Sequence, residues 1–215
     1  MEIDLLVDYP KINRDIAVRF QEKTNSSVLL AKQFGWEYFD MKSPRICYGG
    51  YVYDGRWKPI VKKFIDYYNL KDNSNILDVG CAKCYMLYDF LQINPKLNVV
   101  GVDISKYAIN SRPPNIHAIV GNANDLSMFP DKIFDLVTSI NVIHNLYEYD
   151  CRKAVREIQR VGKNAYIVVD AYSNDEEKAR LLGWNVTANT ILSVDEWRTL
   201  FKEENYAGDY YWFIP

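Results

Sequence analysis

Short, nearly continuous apolar runs alternate along this chain with longer stretches in which apolar residues recur every three or four positions. The first kind reads as buried strand and the second as amphipathic helix. Residues 76–79, 97–103, 116–120, 129–139 with their lead-in, 165–169 and 210–214 are the predicted strands, and 190–192 is a shorter one. A helix through Met86, Leu87, Phe90 and Leu91 follows the first strand. A short one from Ser105 stops at Pro113-Pro114, and another over 148–160 turns Ala154, Val155 and Ile158 inward. Residues 175–182 are helical, and the capping box Ser193-x-x-Glu196 opens a last helix to Glu204. Ahead of the first strand, Pro59 opens a helix through Ile60, Phe64, Tyr67 and Tyr68. Strands that alternate with helices predict an α/β fold with a mostly parallel, Rossmann-like sheet and helices on both faces.

The first 58 residues pattern differently. Ile12, Ile16 and Phe20, then Val28, Leu29, Leu30 and Phe34, keep helical spacing and are expected to pack on the core. Residues 43–57, SPRICYGGYVYDGRW, are dense in aromatics with Gly49-Gly50 and Gly55 between them. This stretch is too irregular for one element and too aromatic for a solvated loop, which suggests a lid; packing of Tyr48, Tyr51, Tyr53 and Trp57 as core is the alternative. The expected organisation is an N-terminal helical and aromatic cap over 1–58 and an α/β core over 59–215.

A net charge of -2 over 215 residues offers no basic field for nucleic acid or anionic lipid. No apolar run is long enough to span a bilayer, and the acidic start MEIDLLVDYP lacks a signal-peptide pattern, so a cytoplasmic protein is expected. Four cysteines do not make a disulfide framework. Cys81-Ala82-Lys83-Cys84 has the C-x-x-C form, but no second pair follows and neither His117 nor His144 stands at ligand spacing; no metal is expected.

The chemistry gathers after the first strand. Asp78-Val79-Gly80-Cys81-Ala82-Lys83-Cys84 is a small-residue turn between a strand and a helix, the arrangement with which open α/β sheets bind nucleotides. The dinucleotide pattern G-x-G-x-x-G keeps only Gly80, with Ala82 and Tyr85 at the other two positions. Asp103 closes the second strand 23 residues past Gly80, where an acid can accept both hydroxyls of a ribose or cap the next helix with Ser105. The turn, read as D-x-G-x-A-x-C, resembles motif I of class I S-adenosylmethionine-dependent methyltransferases. Gly121-Asn122-Ala123-x-x-Leu126 and Pro130-x-x-x-Phe134-Asp135-Leu136-Val137 are similar to two further stretches of that family. The resemblance runs from about residue 61 to 215. It implies a seven-stranded sheet with an antiparallel last strand, and S-adenosylmethionine as cofactor. It places cofactor contacts on Asp78, Gly80, Cys81, Ala82, Asp103, Ile104, Asn122, Ala123 and Asn141. Cys84 stands where the family has its last glycine and puts a side chain beside the expected ligand path.

Residues 141–144, NVIH, follow the fourth strand where the family faces the methyl donor, and they lack the N/D-P-P-Y/F/W tetrapeptide of DNA amino-methyltransferases. His144, a side chain type whose ordinary pKa lies near neutrality, is the candidate base, with a hydrogen-bonded loop histidine or a residue that only positions the acceptor as the alternatives; Tyr48 is a second catalytic candidate. Tyr53, Arg56 and Asn145 are candidate substrate contacts, and an arginine there suits a phosphate or carboxylate or pairs with an Asp on the surface. The reading is methyl transfer to an O or N atom of a small-molecule acceptor, by a monomer or homodimer, without nucleic acid or membrane. A non-catalytic binding or scaffold protein of the same fold and an NAD(P)-dependent oxidoreductase are the alternatives.

Overall fold

Alternation along the strands sets two apolar cores back to back. The computed structural model describes residues 1–10, 16–42 and 51–214. It begins with α1 (Ile16–Glu22), α2 (Asn25–Ala31), α3 (Trp36–Phe39) and α4 (Lys58–Tyr67). Then come β1 (Asn75–Val79), α5 (Tyr85–Ile93), β2 (Asn98–Asp103), α6 (Lys106–Asn110), β3 (His117–Val120) and β4 (Leu136–Ile140). A single 3-10 turn (Ile143–Asn145) precedes α7 (Glu148–Val161), β5 (Ala165–Tyr172), α8 (Asp175–Trp184), β6 (Leu192–Ser193), α9 (Val194–Glu203) and β7 (Asp209–Phe213). Leu77 and Val79 of β1 and Ile167 and Val169 of β5 face one core with Ile158 of α7 and Trp197 and Phe201 of α9. Ile76, Tyr166 and Val168 face the other, with Phe64 of α4 and Leu87 and Phe90 of α5. A sheet buried on both faces reads as continuous apolar runs, which is why its strands stood out in the sequence.

The sheet has seven strands, in the order β3-β2-β1-β4-β5, with β7 along the first part of β5 and β6 at its end. The expected antiparallel last strand is not found. β7 runs parallel to β5, from Tyr166 opposite Asp209 to Asp170 opposite Phe213. The cause is the crossover. β6 lies at the C-terminal end of β5, and α9 carries the chain back to the other end, so the strand that follows must run the same way. The N-terminal residues border β7: Ile3 N–H donates to Tyr210 O at 3.0 Å and Tyr210 N–H to Met1 O at 2.9 Å. The Tyr166 hydroxyl holds them, accepting from Leu5 N–H and donating to Ile3 O, both at 3.1 Å.

The short helices depart from expectation. Phe20 and Leu29 are 65% and 66% exposed, so they are not core residues. α1 lies on α8 instead, and Ala31 packs with Val186 in a small satellite cluster. Ile12 and Tyr48 lie outside the described residues. No described helix is long and apolar enough to cross a membrane.

Candidate active site

The turn after β1 is built by conformations few residues adopt. Gly80 has φ +80°, and a Cβ there would lie 2.2 Å from a Val142 methyl, so only glycine fits. Ala82 and Cys84 also take positive φ, at 48° and 59°. The turn hangs on β2: Gly80 and Cys81 N–H both donate to Val102 O, and Ala82 N–H donates to Asp103 Oδ2 at 2.7 Å. Cys84, expected beside the ligand path, is fully buried in the core under α5 with its Sγ 3.4 Å from Cys81 Sγ. The left-handed backbone at Cys84 turns its side chain inward, and Gly101 on β2 leaves the space that Cys81 fills: a Cβ there would meet Cys81 Sγ at 2.5 Å.

A cavity of about 940 Å³ opens along the C-terminal ends of the strands, the place where open parallel sheets bind ligands. One half is walled by Gly80, Ala82, Asp103, Ile104, Asn122 and Ala123, six of the nine residues predicted to contact a cofactor. Asn141, a seventh, stands at the junction with Val142. Asp78 and Cys81 lie behind the turn rather than on the wall. Asp78 accepts from the Thr138 hydroxyl at 2.9 Å, and burial pushes its carboxyl up to about 7. Asp103 Oδ1 accepts from Ser105 N–H at 2.7 Å. Burial raises its pKa against these two backbone bonds. Ser105, not Asp103, caps α6.

The other half draws on distant parts of the chain: Asp4, Leu6 and Tyr9, Arg56 and Trp57, Val168 and Asp170, Arg180 and Trp184, and β7 with Tyr211 and Phe213. His144 and Asn145 line it from the 3-10 turn. His144 is 2% exposed. Its Nδ1 accepts from Asp170 N–H at 3.1 Å, and its Nε2 lies 3.7 Å from Asp170 Oδ2. Burial lowers its pKa against the pull of that carboxylate. Arg56 is on the wall, but its guanidinium grips Asp54, with Nε and Nη2 at 2.9 and 2.6 Å from Oδ2. Tyr53 lies outside the cavity; its hydroxyl donates to Asp89 at 2.6 Å and its pKa is pushed up to about 12, chiefly by burial. The N-terminal segment is tied to the turn after β1 by Lys83, whose Nζ bonds both oxygens of Asp40, at 2.6 and 2.7 Å, and Tyr51 O at 3.0 Å.

Reading the sequence missed Asp170, Tyr9, Trp184 and Phe213 as wall residues. Asp170 carried a usable signal, an acid inside an apolar strand near its C-terminal end. The aromatics carried none, since apolar residues in helices and strands look like core. Among the described residues, no group of three His, Cys, Asp or Glu gathers to hold a metal.

A parallel sheet in this order, with a glycine-led turn after its first strand and an acid closing its second, is a nucleotide-binding α/β frame; what makes it a class I S-adenosylmethionine-dependent methyltransferase domain is the family match. The chain belongs to the methyltransferase-domain family, which matches residues 70–205. It is similar to YcgJ of Bacillus subtilis, with a TM-score of 0.55, 24% identity and 67% of this chain covered against 66% of that one. A SAM-dependent methyltransferase of Archaeoglobus fulgidus gives 0.55, 18%, 68% and 66%. The plantazolicin methyltransferase BpumL, solved with a desmethyl-plantazolicin analogue and SAH, gives 0.52, 21%, 66% and 61%. The chain thus spans about two thirds of the length of these structures, and at such identities the likeness is one of fold. No curated protein matches the chain. Family membership sets the oxidoreductase reading aside.

Proposed function

We propose that this protein transfers a methyl group from S-adenosylmethionine to an O or N atom of a small molecule held in the aromatic half of the cavity. The observation that carries this reading is the continuity of the cavity from Asp103 and Asn122 through Asn141 to His144 and Trp184. Its volume is near the upper end for ligand pockets, about 300–1,000 Å³, which leaves room for a nucleoside cofactor and a small acceptor together.

The residues present fit the cofactor. The Gly80 turn leaves its backbone open where a Cβ would clash, and Asp103 sits where an acid receives ribose hydroxyls. When bound, S-adenosylmethionine supplies an electrophilic methyl group on a sulfonium centre. The protein's share is alignment in a water-poor cavity, and such positioning is worth several kcal/mol, up to about 7–11 in well-oriented systems. His144 is kept neutral by burial. With Nδ1 accepting from Asp170 N–H, its proton sits on Nε2. In that tautomer its Nε2–H lies on the side of the Asp170 carboxylate, 3.7 Å away, and to act as a base it would first have to break the bond to the Asp170 backbone. We therefore assign it a positioning role, the alternative to the base in the sequence reading.

Thermal unfolding with added nucleotides tests this. S-adenosylmethionine and S-adenosylhomocysteine, but not NAD, raise the midpoint; at a hundredfold excess over Kd the gain is about 2.7 kcal/mol, or roughly 5–10 °C. His144→Ala keeps this rise and lowers turnover on the order of a hundredfold. Loss of the rise in that variant would move His144 into the cofactor half.

A further inference from the structure

Asp170 is 4% exposed, yet it forms part of the cavity wall. Two neighbours surround its carboxyl group, Asn185 by a hydrogen bond and His144 at 3.7 Å. The Asn185 amide oxygen accepts from Thr187 N–H at 2.8 Å and Ala188 N–H at 2.6 Å, so the amide nitrogen must face Asp170, to which it donates at 2.6 Å. The second neighbour, His144, presents Nε2–H, because Nδ1 is committed to the Asp170 backbone. Both neighbours are donors and both are neutral. The carboxylate they surround is therefore offered donors only, one at 2.6 Å from Asn185 and one at 3.7 Å from His144. Among the described residues, no lysine or arginine reaches it; its one charge-capable partner is His144 at 3.7 Å.

A buried carboxylate without a counter-ion is costly, and the cost is relieved when a cation binds beside it. The remaining charges on the wall do not supply one. Asp4 and Asp103 are acids. Arg56 is matched by Asp54, and Arg180, 45% exposed in its side chain, leans toward Glu176 at 4.0 Å. Aromatic rings in the same half, Tyr9, Trp57 and Phe213, suit an organic cation; the Trp184 ring already carries the Arg19 guanidinium, 4.5 Å from its centroid. Asp170 ends the part of β5 that pairs with β7, two strands away from β1, so it belongs to the acceptor half.

We propose that the acceptor site selects a molecule bearing a cationic nitrogen, an ammonium group on an aromatic or apolar body, with Asp170 as its counter-ion and Asn185 and His144 as the residues that hold the carboxylate in place. The proposal rests on the methyl-transfer reading and names its substrate class.

Three probes share one body and differ in head group: phenethylamine, phenethyl alcohol and hydrocinnamate. Their binding to the protein saturated with S-adenosylhomocysteine is measured by calorimetry. Phenethylamine is expected to bind on the order of tenfold or more tighter than the alcohol, and hydrocinnamate weakest. Asp170→Asn, which still accepts from Asn185, brings the amine to the level of the alcohol and leaves the S-adenosylhomocysteine affinity unchanged. Equal binding of the three, preference for the carboxylate, no binding by any at millimolar concentration, or an amine preference that survives Asp170→Asn overturns the proposal. So does loss of S-adenosylhomocysteine binding in that variant, which would make Asp170 a cofactor residue. If the wild type does not bind S-adenosylhomocysteine at all, the methyl-transfer reading fails by itself. The head-group ranking in the free protein then still decides the amine site.

Discussion

The two halves of the cavity are made in different ways. The cofactor half is backbone architecture: a turn, the ends of three neighbouring strands and one acid, mostly within residues 80–123. The acceptor half is side-chain architecture, assembled from the N-terminal segment, β5, α8 and β7, whose residues lie as far apart in the chain as Asp4 and Phe213. The first depends on main-chain geometry, which at position 80 leaves room for glycine alone. The second depends on which side chains meet there.

Substitutions can break or sharpen that contrast. The largest effect belongs to Gly80→Ala. It forces a Cβ to within 2.2 Å of Val142 at a positive φ, so backbone strain and overpacking add, and a loss of up to about 6 kcal/mol is expected. Urea unfolding reads the loss, and S-adenosylhomocysteine binding goes with it. A variant that folds and binds normally would show that the turn is not the rigid frame described.

Asp78 supplies the next effect, through pH. The folded carboxyl holds its proton up to about 7 because it is buried, whereas in the unfolded chain it releases it near 4. The folded state binds more protons between those values. The stabilisation is complete below about pH 4 and is lost as pH rises toward 7, on the order of 4 kcal/mol in total. Asp78→Asn keeps the acceptor for Thr138 and removes this dependence. Melting points of the two proteins, compared from pH 4 to pH 8, should diverge in favour of the variant as pH rises. Parallel curves would reject the shift.

Cys84→Ala is the smallest. It removes a buried sulfur and is expected to cost about 1 kcal/mol, or roughly 2–4 °C, without changing S-adenosylhomocysteine affinity. A drop in that affinity would return Cys84 to the ligand path.

The sequence reading followed the same division. Strands β1 to β5 and the crossover helices were legible because two buried faces demand unbroken apolar runs. Gly80, Asp103 and Asn122 were legible because their chemistry comes in a fixed local order. The direction of β7 was not, since the path of α9 decides it and no residue in 210–214 records that path. Nor was the inward turn of Cys84, which depends on one dihedral angle and on space left by Gly101 across the sheet. For Arg56 the sequence left an anionic acceptor and a surface Asp equally open, and the partner turned out to be Asp54, two residues away. The aromatic density of 51–57 was plain, but whether each ring meets solvent, core or ligand is set by neighbours far along the chain. Trp57, for one, is buried against Tyr9.

The bond from Asp170 N–H to His144 has a quieter consequence. The donor that fixes the imidazole is a peptide group, so no side-chain exchange at position 170 deletes it. The form of the ring is inherited with the path of the fifth strand. Mutational scanning would register the histidine and pass over the group that tunes it, because that group belongs to every amino acid except proline.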